Sequence, residues 1–382
     1  MPFSLYIHIP YCLVKCPYCD FNAYGVRSWP EDRYVDALGA ELRHAVSHAP
    51  WRGQAVQTIY FGGGTPSLFS PASIQRFLHV VTDLCPLVAP DIEITLEADP
   101  ATVTRGKLAG YRAVGINRLS LGVQSFHPQV LKTLGRLHSA EDAARAVGWA
   151  REVGFTNLNS DLIFAVPGQT PELLEEDVLR LLTLAPEHVS LYNLTYEEHT
   201  PFWAMKNTGR LRPVDEEVEA AMYTLIQERC RSQGYEHYEI SNFARPGFSS
   251  RHNTNYWQGG SYLGLGAGAH SYACEPLWGT RWSNERNPKT YMAKALTRGE
   301  AKSTVETLTR AQALGEFVFL QLRQLEGFAL SRFAERFGVG FVDAFPHVVG
   351  LIADGLLAEE AGKIRLTAQG LLLADTIFAS FF

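Results

Sequence analysis

The stretch Tyr6-Ile-His-Ile-Pro-Tyr-Cys12-Leu-Val-Lys-Cys16-Pro-Tyr-Cys19-Asp-Phe21 lies close to the start of the 382-residue sequence. It spaces three cysteines by three and then two residues, directly after an alternating apolar run. Thiolates so close together on one loop can converge on a single centre, and soft sulfur ligands suit an iron-sulfur cluster. A 4Fe-4S cluster takes four ligands. Cys12, Cys16 and Cys19 therefore predict a cluster with one iron open to a small molecule, much as a catalytic zinc keeps one position free.

Two other kinds of cysteine site stay open on this pattern alone. A zinc site requires a second Cys or His pair at a characteristic spacing, and a thioredoxin-like redox motif requires C-x-x-C at the start of a helix. Cys16-Pro-Tyr-Cys19 fits the redox motif in part, but that interpretation leaves Cys12 without a role. We therefore favour the iron-sulfur cluster.

The composition argues against several classes of protein. The net charge of -6 disfavours nucleic-acid binding, which needs a basic face to neutralise phosphates. No apolar run reaches the length of a membrane span, and too few residues precede Tyr6 for a signal peptide. Six cysteines without an extracellular pattern favour a reducing compartment. We expect a soluble cytoplasmic protein in which Cys85, Cys230 and Cys274 are structural.

Strand and helix patterns alternate through the first 200 residues. The predicted strands cover residues 5–9, 57–61, 91–97, 118–124, 157–164 and 188–195, with helical patterns between them. This alternation predicts βαβ units with a parallel sheet, and right-handed crossovers would curl that sheet into a partial (βα)6 barrel.

The predicted strands also share a polar face. Its residues are Tyr6, His8, Glu93, Thr95, Glu97, Arg118, Ser120, Gln124, Asn157, Asn159 and Asp161. The interior of a closed eight-stranded barrel is filled by Val, Ile and Leu, whereas polar groups at the carboxyl ends of strands indicate a lumen that holds ligand or water. The turn Gly62-Gly63-Gly64-Thr65-Pro66 after the second strand would let backbone groups approach a ligand closely.

The pattern changes beyond the sixth strand. We divide the chain into a barrel core (1–200), an extension (201–303) and a C-terminal module (304–382). The extension holds His252-Asn-Thr-Asn-Tyr256-Trp257 and a Gly-rich stretch, residues 264–271. The module predicts three helices, a short hairpin and a last helix, which is a winged-helix-like order. Because it has no basic stripe, we interpret it as a packing or partner-binding module.

With these motifs in place, the chain resembles the radical SAM superfamily and, within it, the oxygen-independent coproporphyrinogen III oxidases and the related heme chaperone family, HemW. The resemblance covers nearly the whole length. It rests on C-x-x-x-C-x-x-C, Gly-Gly-Gly-Thr-Pro, Glu-Ala-Asp-Pro, Gly-Val-Gln-Ser-Phe and Asp-Leu-Ile-Phe, each at the matching strand.

The resemblance implies that the three motif cysteines hold a 4Fe-4S cluster whose open iron binds S-adenosylmethionine (SAM). It implies SAM contacts, for one or two molecules, from Tyr6, Tyr18, Gly63, Gly64, Thr65, Glu97, Gln124, Arg136 and Asp161. Thr195 and His270 depart from the oxidase pattern, which has a small and an aliphatic residue at those positions.

Two differences from the oxidases favour the heme chaperones. Phe21 occupies the position of the oxidases' fourth motif cysteine, and the first strand begins without their long preceding segment. The H-N-x-x-Y-W motif resembles the heme-associated motif of the chaperones, which implies heme contacts from His252, Tyr256 and Trp257.

The leading expectation is therefore a chaperone without oxidase activity. It would carry heme to respiratory hemoproteins at the membrane, and homodimerisation and peripheral membrane contact are further expectations. The alternative is a radical enzyme that decarboxylates coproporphyrinogen III to protoporphyrinogen IX.

Overall fold

The computed structural model describes the whole chain, Met1 to Phe382. The strands of its first half are β1 (Phe3–Ile9), β2 (Tyr11–Cys12), β3 (Tyr24–Gly25), β4 (Val56–Gly63), β5 (Glu93–Ala98), β6 (Arg118–Gln124), β7 (Leu158–Phe164) and β8 (His188–Asn193). The helices between them are α1 (Glu31–Val46), α2 (Pro71–Leu84), α3 (Arg105–Ala113), α4 (Pro128–Thr133), α5 (Ala140–Glu152) and α6 (Pro171–Thr183).

Six of these strands form a parallel array. β1 pairs with β4, and the order continues through β5, β6 and β7 to β8, with every neighbouring pair parallel. The helices begin where the sequence offers side-chain caps; Ser70, Thr104 and Thr170, for example, each accept a backbone N–H of the helix that follows. The α/β fold with a partial (βα)6 core is confirmed.

The middle of the chain extends this sheet at both edges. Its strands are β9 (Glu236–Glu239), β10 (Asn242–Ala244), β11 (Tyr262–Leu265), β12 (His270–Ala273), β13 (Thr280–Asn284) and β14 (Lys302–Thr307). Its helices are α7 (Pro201–Asn207), α8 (Glu216–Ser232), α9 (Arg251–Trp257) and α10 (Pro288–Arg298).

The two edges are extended in different ways. The β9–β10 hairpin joins β8 in antiparallel pairing, whereas β11 joins β1 in parallel pairing and is followed by antiparallel β12, β13 and β14. The result is one sheet of twelve strands. Because β14 belongs to this sheet and ends at Thr307, the large sheet reaches past residue 304, the predicted start of the C-terminal module.

The C-terminal module has its own core and a small sheet. Its elements are α11 (Arg310–Leu322), β15 (Phe328–Ala329), α12 (Leu330–Phe337), α13 (Phe341–Ala344), α14 (Val348–Ala353), β16 (Leu357–Glu360), β17 (Lys363–Leu366), α15 (Ala368–Leu372) and α16 (Ala374–Ala379). The strand order β15-β17-β16 is antiparallel, and aromatic residues such as Phe317, Phe333 and Phe341 fill the core. The helices-then-hairpin order matches the prediction, but the third predicted helix is divided into α13 and α14, and the last into α15 and α16. No helix in the chain has both the length and the apolar character needed to cross a bilayer.

Candidate functional site

A cavity of about 1250 Å³ lies at the carboxyl ends of the parallel strands. The cysteines Cys12, Cys16 and Cys19 line it, together with all but one of the residues predicted to contact SAM. Those lining residues are Tyr18, Gly63, Gly64, Thr65, Glu97, Gln124, Arg136 and Asp161. The exception, Tyr6, lines a second cavity, which shares Gly63 and Glu97 with the first. The structure thus brings the predicted cluster and SAM residues together around one space.

The cysteine loop is held by backbone hydrogen bonds on both sides. Cys12 lies on β2, which pairs with β3, and its carbonyl accepts the N–H of Val26 at 2.9 Å. The N–H of Cys19 donates to the carbonyl of Cys16 at 3.2 Å, which closes the turn between them. None of the three cysteines is in a disulfide, so all three thiols are free to bind a metal.

Donors from two other loops approach these sulfurs. The hydroxyl of Thr65 donates to Cys12 Sγ at 3.3 Å, and Arg136 Nη1 donates to Cys16 Sγ at 3.6 Å. Arg136 is itself held by Asp99, with 2.6 Å between Nη2 and Oδ2. Hydrogen bonds and positive charge beside sulfur stabilise thiolate and adjust the potential of a cluster.

The chemistry of the cysteine loop suits an iron-sulfur cluster, because all three candidate ligands are soft thiols. Burial raises the pKa of the Cys12 thiol, and it raises that of Cys19 to about 11. Metal coordination is the interaction that deprotonates such thiols outright.

The glycine turn after β4 has no room for side chains. Gly63 has a positive φ of 114°, and a Cβ there would lie 2.6 to 2.9 Å from the ring of His8. A Cβ on Gly64 would lie 2.8 Å from the carbonyl oxygen of Tyr11 and 3.0 Å from Cys12 Sγ. Backbone alone can pass this close to the cysteine loop, which explains the predicted need for glycine.

Glu97 closes the inner side of the cavity. Its carboxylate accepts the hydroxyl of Tyr60 at 2.8 Å and the N–H of Gly63 at 3.2 Å. Burial raises the pKa of Glu97 to about 7, and the nearby Asp161 contributes. Each carboxylate oxygen still has a lone pair for a ligand donor, which suits the predicted contact with SAM.

Asp161 and Gln124 belong to the same wall. Asn159 donates to Asp161 at 2.7 Å and Ser120 does so at 3.3 Å. Gln124, at the end of β6, has a φ of 67°, a left-handed conformation that costs free energy in any residue with a side chain. Such strain persists only where the surroundings enforce it, and it is concentrated at binding sites.

The sequence predicts Arg118 on the polar face of the lumen, but no motif gives it a ligand contact. Its side chain is nearly fully buried and lines the main cavity. It is absent from the ion pairs of the structure, and its Nε has no hydrogen-bond partner. The carboxylates of Glu97 and Asp161 are near enough for its positive charge to act on their pKa values, and the unpartnered Nε leaves one N–H that a ligand acceptor could take. The sequence signal for such a role is an arginine on the inward face of a predicted barrel strand.

The three predicted heme residues do not all line one cavity, because His252 is buried behind the other two. His252 is 1% exposed, and its two ring nitrogens make hydrogen bonds of 2.8 Å with the hydroxyls of Thr58 and Tyr256. Burial lowers its pKa to about 3. Tyr256 and Trp257 instead line the second cavity. A heme contact of His252 stays a prediction, and in this arrangement neither of its nitrogens is free for iron.

Comparison with known proteins adds two family matches. Residues 6–181 match the radical SAM superfamily, and residues 308–373 match the HemN C-terminal domain. The second match begins directly after β14.

Curated relatives extend over nearly the whole chain. The heme chaperone HemW of Bacillus subtilis is 37% identical over 99% of this chain and 98% of its own length. The heme chaperone HemW of Escherichia coli is 36% identical over 100% of this chain and 98% of its own length. Mouse mitochondrial radical S-adenosyl methionine domain-containing protein 1 is 35% identical over 98% of this chain and 86% of its own length.

Among solved structures, the radical SAM enzyme coproporphyrinogen III oxidase (HemN) from Escherichia coli is similar with a TM-score of 0.84. It is 27% identical, and the match covers 100% of this chain and 90% of that one.

Proposed function

Because the chain belongs to the heme chaperone HemW family of the radical SAM superfamily, we propose that it binds heme and delivers it to respiratory hemoproteins. The observation that carries this proposal is the full-length similarity to several proteins named heme chaperones, at 34 to 38% identity in bacteria.

The cysteine loop supports the same assignment. Phe21, two residues after Cys19, is largely exposed beside the main cavity, where the oxidase pattern has a further cysteine. The phenyl group of Phe21 has no N, O or S atom, so it can neither ligate iron nor act as a thiol. Exposed Leu13, Val14 and Leu137 also line this cavity, so it has exposed apolar side chains beside Phe21.

We assign the cofactor roles as follows. Cys12, Cys16 and Cys19 would hold a 4Fe-4S cluster, while Thr65 and Arg136 donate to its sulfur ligands. Glu97, Asp161 and the glycine turn would bind SAM. When bound, a cluster with SAM supplies one-electron chemistry. The chain's own residues orient these groups and, through Arg136, offset negative charge at the thiolates.

The partners and the compartment belong to the same proposal. Free thiols and an oxygen-sensitive cluster suit the reducing cytoplasm. The recipients are respiratory hemoproteins, so we propose peripheral contact with the membrane, and we propose a homodimer as the carrier.

The proposal is tested by heme transfer. Protein with a reconstituted cluster is loaded with heme and mixed with vesicles that contain the apo form of a respiratory b-type cytochrome. We expect the absorption spectrum of the heme-loaded cytochrome to appear faster than when the same concentration of heme is supplied on albumin. Equal rates would contradict a delivery function.

One observation favours the alternative, an oxidase. The fold closely matches that of the HemN enzyme. Anaerobic incubation of the reconstituted protein with SAM, a reductant and coproporphyrinogen III tests it directly. We expect no protoporphyrinogen IX, and sustained turnover would replace the chaperone assignment with the enzymatic one.

A further inference from the structure

We propose that heme binds in the second cavity, between β11–β13 and α11, with His270 as its iron ligand; this inference rests on the proposed chaperone function. The cavity has a volume of about 920 Å³, at the upper end of the range of about 300–1,000 Å³ for small-molecule and cofactor sites. It is separate from the cysteine cavity but adjoins it through Gly63 and Glu97.

One wall is a face of the extended sheet. His270 and Tyr272 lie two residues apart on β12, so their side chains are on the same side of the sheet. Tyr272 is paired with Arg281 on β13 and with Tyr262 on β11, and paired residues share a face. The register therefore places an imidazole, two phenol rings and a guanidinium on one surface, and all four line the cavity.

The other walls are apolar and aromatic. Helix α11 contributes Phe317 and Leu320, and the end of α9 contributes Tyr256 and Trp257. Gln321 of α11 donates to the carbonyl of Trp257 at 2.9 Å, which joins these walls. Flat aromatic surfaces suit the face of a porphyrin.

His270 is the available imidazole in this cavity. The side chain is exposed to it and makes no hydrogen bond or ion pair with the protein. His8 also lines the cavity, but its nitrogens are taken by Tyr6 at 3.0 Å and by the carbonyl of Asn22 at 2.9 Å. Burial and the nearby Arg286 and Arg281 lower the pKa of His270, which keeps its imidazole in the neutral form that ligates metals.

Two arginines suit the heme propionates. Arg286 and Arg336 line the cavity, and neither guanidinium is in an ion pair. Arg281, by contrast, pairs with Glu306 at 2.7 Å and with Glu316 at 2.5 Å. Guanidinium groups bind carboxylates through two parallel hydrogen bonds, so two arginines without an acidic partner match a ligand with two carboxylates.

In this arrangement the H-N-x-x-Y-W motif acts by positioning. His252 makes a hydrogen bond with the hydroxyl of Tyr256, and Tyr256 and Trp257 form part of the wall of the second cavity. His252 itself stays buried behind them.

The test is heme titration of the cluster-reconstituted protein, followed by the Soret band. We expect His270→Ala to raise the heme Kd about tenfold or more and to change the ferric heme spectrum. His270→Gly should regain the wild-type spectrum when imidazole is added, a result that loss of folding would not produce. His79→Ala, an exposed histidine on α2, is the matched control.

The arginines are tested together. The double variant Arg286→Gln with Arg336→Gln should raise the heme Kd about tenfold or more without changing the heme spectrum. The control double variant, Arg27→Gln with Arg52→Gln, changes two exposed arginines and should leave both the heme Kd and the spectrum unchanged. Wild-type protein that binds no heme would overturn the proposed function. Wild-type protein that binds heme, with affinity and spectrum unchanged in His270→Ala, would overturn the His270 site and leave the chaperone function standing.

Discussion

At the scale of single residues, the cluster loop depends on what surrounds its sulfurs. The three motif cysteines are partly buried; Cys12 receives a hydrogen bond from Thr65, and Cys16 receives one from Arg136. The other cysteines have different surroundings: Cys85 and Cys230 are buried, and Cys274 Sγ accepts the hydroxyl of Ser261 at 3.1 Å. The assignment of the cluster to Cys12, Cys16 and Cys19 stays a prediction from their spacing, and the structure adds side-chain donors to Cys12 and Cys16.

We expect Cys12→Ser, Cys16→Ser and Cys19→Ser each to lose most of the reconstituted iron. Two remaining thiolates cannot hold a cluster that already lacks a fourth protein ligand. Iron content and the visible absorption of the cluster measure the loss. Cys274→Ser is the control, because its sulfur has similar exposure at another site, and iron loss in that variant as well would refute the assignment.

Thr65→Val keeps the shape of the side chain but removes the hydroxyl that donates to Cys12 Sγ. Hydrogen bonds to cluster sulfurs favour the reduced cluster, so we expect a more negative reduction potential in a redox titration followed by electron paramagnetic resonance. Thr224→Val removes a hydroxyl that bonds within α8 and should leave the potential unchanged. An unchanged potential in Thr65→Val would remove this residue from the cluster environment.

At the scale of elements, the site depends on how closely neighbouring segments approach. The glycine turn passes against His8 and the cysteine loop without space for a Cβ. Helix α1 is joined to the sheet through Glu41, which is buried and accepts bonds from Gly266, Asn284 and Tyr291. These contacts fix the edge of the barrel where β11 adds to β1.

Gly63→Ala tests the turn. The new Cβ meets His8 and the positive φ becomes unfavourable, so we expect a loss of about 1–3 kcal/mol in the free energy of unfolding. Gly148→Ala is the matched change in the exposed interior of α5, where a Cβ meets nothing within 4 Å. It should stabilise the protein by about 0.5–1 kcal/mol. Chemical denaturation measures both, and equal effects would refute the steric argument.

Glu41 predicts a pH dependence of stability. Burial raises its pKa from the ordinary 4.5 to about 7, so the folded protein favours the protonated form. This stabilisation is complete below pH 4.5 and is lost as the pH rises through 7, a change of about 3 kcal/mol. We expect the wild-type melting temperature to fall more than that of Glu41→Gln between pH 5 and 8. Parallel curves for the two proteins would contradict the raised pKa.

At the scale of the whole molecule, the C-terminal module completes the second cavity. Gln321 is nearly fully buried, and it bonds the carbonyl of Trp257 while accepting from Arg332 at 3.2 Å. Arg332 also donates to the carbonyl of Gln258 at 3.1 Å. A few polar contacts thus join the module to α9.

Gln321→Leu should loosen this junction, because it leaves the carbonyl of Trp257 without its donor. We expect faster hydrogen exchange in α9 and α11 and weaker heme binding, with little change in the barrel strands. Gln129→Leu makes the same chemical change at an exposed position on α4 and serves as the control. Unchanged exchange in both helices would show that Gln321 does not hold the module in place.

The sequence by itself determined the barrel core and the position of the cysteine loop directly after its first strand. The βα alternation, the helix caps and the cysteine spacing are local signals, and each one acts over a few residues. The parallel pairing of β11 with β1, the unpartnered Nε of Arg118 and the buried position of His252 needed the tertiary structure. Strands such as β11 and β12 are four residues long, which is too short for a clear period. Their partners lie far away in the chain, so only long-range packing decides which histidine is buried and which one faces a cavity.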